Sequence, residues 1–228
     1  TYGIVRFCLP MFPEATANWA PFVATLAVIG IIYGAWVSYA QPDVKKLVAY
    51  SSVSHLGFVM LGMFALNVQG VSGAILQMIN HGLSTGALFL LIGMVYEQTH
   101  TRDIKVYGGL WKVMPVFGTI MLIASLSSMG LPGLNGFVGE FTILLGAFGS
   151  TAIGSPWYAG ISAIGVIMAA VYILYMFQKM FLGPAGEITH HHELKDLNWR
   201  EILTVTPLLI LMFWIGLYPA PFFNLIAP

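Results

Sequence analysis

One carboxylate of this sequence lies inside a long apolar stretch, and it is the first candidate for chemistry. Glu140 belongs to the segment Val113 to Gly149, whereas the other Asp, Glu, Lys and Arg residues fall in polar loops or near the ends of apolar segments. A charge near mid-bilayer costs about 2.5–3.5 kcal/mol or more, and such residues usually serve ion or proton pathways. We therefore predict that Glu140 carries protons. The alternative is a neutral carboxyl group that hydrogen-bonds to a neighbouring helix.

Two histidines, His55 and His81, also lie within apolar segments. Imidazole both accepts and donates a proton near neutral pH, so the favoured interpretation is a proton relay, and the alternative is interhelical hydrogen bonding. A metal site is disfavoured because neither a Cys nor a second carboxylate accompanies the two histidines. Residues three or four apart share a helix face. Each histidine therefore sits on a polar stripe, formed by Ser51 and Ser52 before His55 and by Gln77, Ser84 and Thr85 around His81.

Other polar residues are more ambiguous. Lys45 and Lys46 precede an apolar segment, where they either end a proton path on the cytoplasmic side or act as ordinary positive-inside anchors. The run His190 to His192 suggests a metal, but consecutive side chains do not easily converge on one ion, so we expect a solvated loop there.

The composition describes the class of protein that must position these residues. Of the 228 residues, 58% are hydrophobic and 8% charged, and the mean hydropathy is +0.83; soluble domains carry about 25% charged residues. We predict an all-α, polytopic transmembrane helix bundle. The single cysteine, Cys8, excludes an internal disulfide and a cysteine-held iron–sulfur cluster. Zero net charge without a long basic run gives no support to nucleic-acid binding.

About six spans are predicted, after the end of a preceding helix at Thr1 to Met11. Five of them are uninterrupted apolar runs, and Asp43 is expected to cap the second. They are Trp19 to Ala40, Val44 to about Leu66, Val71 to Tyr96, Trp157 to Phe181 and Glu201 to Tyr218.

The segment Val113 to Gly149 is predicted to be a discontinuous helix. At about 1.5 Å per residue it would make roughly 55 Å of helix, against about 30 Å of bilayer core. Pro132, Gly133 and Gly136 predict a break, and Asn135 is expected to cap the second half. Unwound backbone at membrane depth is tolerated only where protein or water satisfies it, which favours a wet interior path.

Positive charge predicts that this broken segment crosses the membrane once. The basic residues lie before the second span, after the third and around the loop between the last two spans. A single crossing puts all three groups on the same, cytoplasmic side, whereas a hairpin would move the last group outside.

Four motifs in the chain carry a family resemblance. They are DVKKLVAYSSVSHLGFVMLG, ILQMINHGLSTGALFLLIGMVYEQTHTRDI, GGLWKVMP and SLSSMGLPGLNGFVGEF. They resemble the antiporter-like membrane subunits of respiratory complex I, most closely the NuoM type, the bacterial counterpart of mitochondrial subunit 4. The resemblance implies that residues 1–228 form a single membrane domain, the C-terminal half of a fourteen-helix subunit built from inverted repeats.

The resemblance also implies roles for individual residues. Glu140 falls on the key ionisable position of the broken helix, and His81 and His55 fall on the hydrophilic axis or its cytoplasmic branch. We expect protons to pass from the centre through His81 to Glu140 and the outer side, with His55 and then Lys45 or Lys46 toward the cytoplasm. The NuoL, NuoN and Mrp types are expected to have Lys where this chain has Glu140, so the acid favours NuoM.

The implied function is a proton-translocating subunit of NADH:quinone oxidoreductase, which couples quinone reduction to proton pumping. The chain is expected to carry no redox chemistry of its own and to be part of an enzyme as a subunit of that complex. NADH, FMN, iron–sulfur clusters and quinone are expected on other subunits. The expected partners are NuoL-type and NuoN-type subunits and the lipid bilayer, in a bacterial plasma (inner) membrane. The alternatives are an Mrp-type cation/proton antiporter subunit and a structural spacer without its own ion path.

Overall fold

A computed structural model describes residues 1–191 and 194–226, and the regular structure in this part of the chain is helical apart from one isolated bridge between Asp43 and Asp103. The all-α prediction is confirmed. Five of these helices are long and apolar enough to cross a membrane. They are α1 (Pro13–Tyr39), α2 (Val44–Phe64), α3 (Val68–Thr99), α6 (Trp157–Phe181) and α7 (Trp199–Leu217).

The predicted discontinuous helix consists of two short apolar helices, α4 (Pro115–Ser128) and α5 (Asn135–Phe148). Residues 129–134 between them are unwound, and Gly130 and Gly133 have positive φ values of 78° and 95°, which glycine adopts without a steric penalty. Helix α7 packs against one side of this break, since a Cβ on Gly216 of α7 would collide with the backbone of Gly133. Gly136, predicted to belong to the break, instead lies in the first turn of α5.

The expectation that Asn135 caps α5 is wrong. The cap position is Leu134, which makes no side-chain cap hydrogen bond, and Asn135 is the first helical residue. Its side chain bonds instead to Ser127 and Asn80. Two other caps follow the local rules, because Asp43 accepts from the Lys46 backbone N–H and Asn198 forms a capping box with Glu201.

Several helices extend beyond their predicted limits. α1 begins at Pro13 rather than Trp19, since proline is well suited to the first helical turn. α3 gains a turn at its start, where Asn67 caps it. Short pieces flank the spans: Ile4–Cys8, Leu9–Met11, Ile104–Val106, Leu110–Val113, Glu187–His191 and Ala220–Ile226. The backbones of His190 and His191 therefore lie in a helix rather than the expected loop, and His192 lies outside the described residues.

Glycines allow the helices around the centre to approach closely. A Cβ on Gly34 of α1 would lie 2.7 Å from the Ser54 backbone nitrogen of α2, and a Cβ on Gly73 of α3 would lie 2.9 Å from the Ile143 nitrogen of α5. Close backbone contact replaces the hydrophobic effect as the source of helix association in lipid. These contacts bring α1 against α2 and α3 against α5.

The loops that carry the predicted cytoplasmic charges contact one another at one end of the bundle. We call this region, formed by residues 40–43, 100–109 and 194–198, the basic end. The Val44 N–H donates to the Arg102 carbonyl (2.9 Å), and the Ile104 N–H donates to the Pro42 carbonyl (2.9 Å). Asp196 accepts from the backbone N–H groups of Val116 and Phe117 at the start of α4 (2.8 and 2.9 Å). All three basic loops therefore lie on the same side, as a single crossing by α4 and α5 requires.

A buried tyrosine strengthens the basic end. The Tyr107 hydroxyl donates to the Thr101 carbonyl (2.6 Å) and lies 2.7 Å from the Thr99 hydroxyl. Burial raises the pKa of Tyr107, and the hydrogen bond with Thr99 opposes that rise in pKa. Tyr107 therefore remains a neutral hydrogen-bond donor at physiological pH.

Candidate functional site

Glu140 lies in α5 at the centre of the bundle, and its side chain meets two neighbouring helices. The residue is 2% exposed. Its Oε1 atom lies 2.7 Å from His55 Nδ1 of α2 and accepts a hydrogen bond from Gln77 Nε2 of α3 (3.1 Å). The second oxygen, Oε2, makes no hydrogen bond within residues 1–191 and 194–226. A Cβ on Gly130 would lie 3.2 Å from this oxygen, so Oε2 faces the helix break.

The imidazole of His55 connects Glu140 to a third helix. His55 is 2% exposed, and its Nε2 atom lies 3.1 Å from the hydroxyl of Tyr172 in α6. Both ring nitrogens therefore have a partner, a carboxylate on one side and a phenol on the other. Such full pairing is what a buried imidazole requires, because an unpaired polar group in a low-dielectric interior is costly.

His81 neighbours His55 rather than Glu140, which differs from the order that the family resemblance implies. Its Nε2 lies 3.1 Å from the Ser52 hydroxyl and its Nδ1 lies 3.1 Å from the Thr85 hydroxyl. The His81 ring centroid is 5.4 Å from that of His55, and the residue is only half-buried. The spatial order is therefore Glu140, His55, His81, rather than the expected order in which His81 adjoins Glu140.

Two asparagines hold the start of α5 against α3. Asn80 Nδ2 donates to the Asn135 carbonyl (2.8 Å), and Asn135 Nδ2 lies 3.3 Å from Asn80 Oδ1. Ser127, at the end of α4, donates to Asn135 Oδ1 (2.5 Å). One amide thus joins both halves of the broken helix to α3. We call the group Glu140, His55, Gln77, Asn80, Asn135 and Tyr172 the polar centre.

The register of α3 brings its polar side chains to this centre. Gln77 and Asn80 are three residues apart and share a face, and a Cβ on Gly139 would collide with Gln77 Oε1. The absence of a side chain at Gly139 therefore gives Gln77 room beside Glu140.

The polar stripe around His81 identified Gln77 from the sequence, but the sequence analysis missed Asn80 and Tyr172. Tyr172 had no local signal, because it stands in the apolar run Val166 to Phe177.

Lys45 and Lys46 do not reach the polar centre. Both are exposed at the start of α2, where the Lys46 backbone N–H donates to Asp43 Oδ1 (3.0 Å). At about 1.5 Å per residue they lie roughly 14 Å along the helix from His55. The helix break is closer, since a Cβ on Gly130 would lie 3.2 Å from Glu140 Oε2. Pro132, in the same break, is exposed.

The arrangement can transfer protons. A carboxylate and an imidazole 2.7 Å apart share one proton site, and the half-buried His81 ring lies beside them. Among the described residues, no group of three His, Cys, Asp or Glu side chains is positioned to hold a metal ion.

The chain is similar to known membrane proteins. Residues 1–168 match the protein family described as "NADH:quinone oxidoreductase/Mrp antiporter, TM". The NADH-ubiquinone oxidoreductase chain 4 of Marchantia polymorpha is 46% identical over 97% of this chain and 44% of its own length. The NADH-quinone oxidoreductase subunit M of Pseudomonas aeruginosa is 45% identical over 99% of this chain and 43% of its own length. The chain thus spans less than half the length of these curated relatives.

The fold is also similar to a solved structure. A chain of the respiratory complex I from Thermus thermophilus with bound NADH superimposes with a TM-score of 0.88 and 36% identity. The match covers 99% of this chain and 48% of the Thermus chain. The prediction of an antiporter-like fold of the complex I type is confirmed.

Proposed function

Because the chain belongs to the NADH:quinone oxidoreductase/Mrp antiporter transmembrane family, we propose that it forms part of a proton-translocating membrane subunit of respiratory complex I. The full subunit couples quinone reduction to proton pumping. The buried contact between His55 Nδ1 and Glu140 Oε1, at 2.7 Å, is the observation that carries the proposal. Buried ionisable groups in a membrane interior are expensive, and proton pathways are their usual use.

The two oxygens of Glu140 support a directional path. Oε1 faces His55 and Gln77, whereas Oε2 faces Gly130 in the unwound segment. A proton that arrives from the side of His81 and His55 binds Oε1, and release from Oε2 leads toward the break. Lys45 and Lys46 extend the same path toward the basic end. The role of Pro132 and Gly133 is to keep the backbone between α4 and α5 unwound. The role of Gly136 is to let the first turn of α5 approach the Ser127 carbonyl, with which a Cβ would collide.

The electron-transfer chemistry belongs to other subunits in this proposal. NADH, FMN, iron–sulfur clusters and quinone bind elsewhere in the complex. The driving signal reaches Glu140 as a change of charge on a neighbouring group along the hydrophilic axis. NuoL-type and NuoN-type subunits are the proposed neighbours, and a bacterial inner membrane is the proposed location.

The test is Glu140→Gln in the full-length subunit within its complex. Gln keeps the size and the acceptor oxygen of Glu but cannot bind or release a proton at physiological pH. We expect NADH-driven proton uptake by inverted membrane vesicles to be lost while the amount of assembled complex is unchanged. Glu97→Gln is the matched control, because Glu97 is an exposed carboxylate near the end of α3.

The outcomes separate the three candidate functions. Normal proton uptake in Glu140→Gln contradicts the proposal and favours a structural spacer. Proton flux that requires sodium but no NADH favours an Mrp-type antiporter subunit. Loss of uptake in both Glu140→Gln and Glu97→Gln would contradict the proposal that the effect is specific to Glu140.

A further inference from the structure

The hydroxyl of Tyr172 has no part in the path described above. Tyr172 is fully buried in α6, and its hydroxyl lies 3.1 Å from His55 Nε2, on the opposite side of the ring from Glu140. Phenylalanine would fill nearly the same space in this apolar span. The hydroxyl itself therefore needs an explanation.

The charge state of Glu140, which contacts His55 Nδ1, determines whether the Tyr172 hydroxyl must donate to His55 Nε2 or accept from it. An ionised carboxylate can only accept hydrogen bonds, so while Glu140 is charged, His55 Nδ1 carries the proton and donates to Oε1. The Nε2 atom of a neutral imidazole is then bare and needs a donor. A phenol hydroxyl is able both to donate and to accept, so it can serve Nε2 with or without a proton.

We propose that Tyr172 is a role-reversing partner of His55. Its hydroxyl donates to Nε2 while the His55 proton is on Nδ1, and it accepts from Nε2 after that proton has moved to Glu140. Tyr172 is thus a positioning residue that keeps the ring aimed at Oε1 in both states. The inference rests on the proposed function, because it adds a residue to the same path.

The proton transfer balances when one proton enters from the His81 side of the path. A proton from the path forms the Nε2–H bond, and the Nδ1–H bond breaks as the Oε1–H bond forms. The imidazole is neutral before and after, the carboxylate becomes a carboxylic acid, and Tyr172 keeps its own proton while its O–H turns away from the ring. The pair gains one proton in total.

Three titratable groups face the His55 ring from the helices packed around it. They are Glu140 on α5, His81 on α3 with ring centroids 5.4 Å apart, and Tyr172 on α6. Gln77 is the neutral neighbour on the Glu140 side. Removal of the phenol hydroxyl changes no charge in this group, so its effect is separable from the effect of replacing Glu140 or His81.

The test is difference infrared spectroscopy of the full-length complex during turnover, with isotopically ring-labelled tyrosine. The phenol C–O stretch differs between a donating and an accepting hydroxyl. We expect a tyrosine band that shifts during turnover, that is absent in Tyr172→Phe, and that no longer shifts in His55→Gln. Tyr175→Phe is the matched control on the same helix, since its ring packs on Tyr39 at the helix surface.

Proton uptake provides the second measurement. Tyr172→Phe should lower the uptake per NADH about three- to tenfold, the effect of one lost hydrogen bond on the ring orientation, and Tyr175→Phe should leave it unchanged. A wild-type complex without a shifting tyrosine band, or a band that persists in Tyr172→Phe, would overturn the inference even if that variant assembles poorly. A shifting Tyr172 band together with normal uptake in Glu140→Gln would instead overturn only the proposed function.

Discussion

The polar centre and the basic end both join helices through polar side chains, but the side chains of the centre are buried and those of the basic end are partly exposed. In the centre, Glu140 and His55 are each 2% exposed and Tyr172 is fully buried. At the basic end, the side chains of the Arg102–Asp43 ion pair are 40% and 19% exposed, at an N–O distance of 3.3 Å. Bulk solvent replaces a lost partner more readily at the exposed end than in the buried centre, so equal chemical changes should have unequal effects.

The largest effect is expected from Asn135→Leu, which removes the amide that joins α4 and α5 to α3. Ser127 and Asn80 would then each lose a buried partner, at a cost of about 1–3 kcal/mol for each unpaired group. We expect a lower midpoint of thermal unfolding and less assembled complex. Thr142→Val is the control, since the Thr142 hydroxyl bonds only the Val138 carbonyl within α5. Equal losses in both variants would mean that the amide network adds nothing.

A smaller but more specific effect is expected from alanine at the two glycines of the helix break. Gly130 and Gly133 both have positive φ, which costs about 1–2 kcal/mol for a residue with a Cβ. A Cβ on Gly130 would lie 3.2 Å from Glu140 Oε2, whereas a Cβ on Gly133 would meet nothing within 4 Å. Both variants should lose similar thermal stability, but only Gly130→Ala should also slow NADH-driven proton uptake. Equal uptake in the two would argue against release through Oε2.

The smallest effect is expected from Arg102→Gln at the basic end. Exposed ion pairs contribute about 0.2–1 kcal/mol, and salt screens them. The thermal midpoint of the complex should therefore fall only slightly at low salt, and the difference from wild type should shrink at high salt. A loss as large as that of Asn135→Leu would contradict the contrast between the two regions.

Local rules predicted the helices and the break well. The apolar run Trp157 to Phe181 has the same limits as α6, and Pro132 with its neighbouring glycines marked the unwound residues 129–134. Hydrophobicity and the backbone limits of proline and glycine act over a few residues, so the sequence carries them directly. The cap at Asn135 failed because tertiary partners on α3 and α4 compete for the same amide.

The candidate site was predicted in part. Glu140 and the two histidines stood out because polar groups are rare in apolar spans, and the structure brings all three together. The spatial order of Glu140 and the two histidines could not be predicted from the sequence, because it depends on how α2 and α3 are rotated relative to α5. Tyr172 could not be found either, since a tyrosine among apolar residues usually serves as packing.

The sequence by itself determined that this chain is a membrane helix bundle with one broken span and one buried carboxylate, because composition and helix-breaking residues are local properties. Only the tertiary structure decided which side chains pair with that carboxylate. Contacts such as His55 with Glu140 and Tyr172 join residues 85 and 117 positions apart. Such contacts depend on helix rotation and on close packing at glycines such as Gly73 and Gly139, which no stretch of the sequence specifies alone.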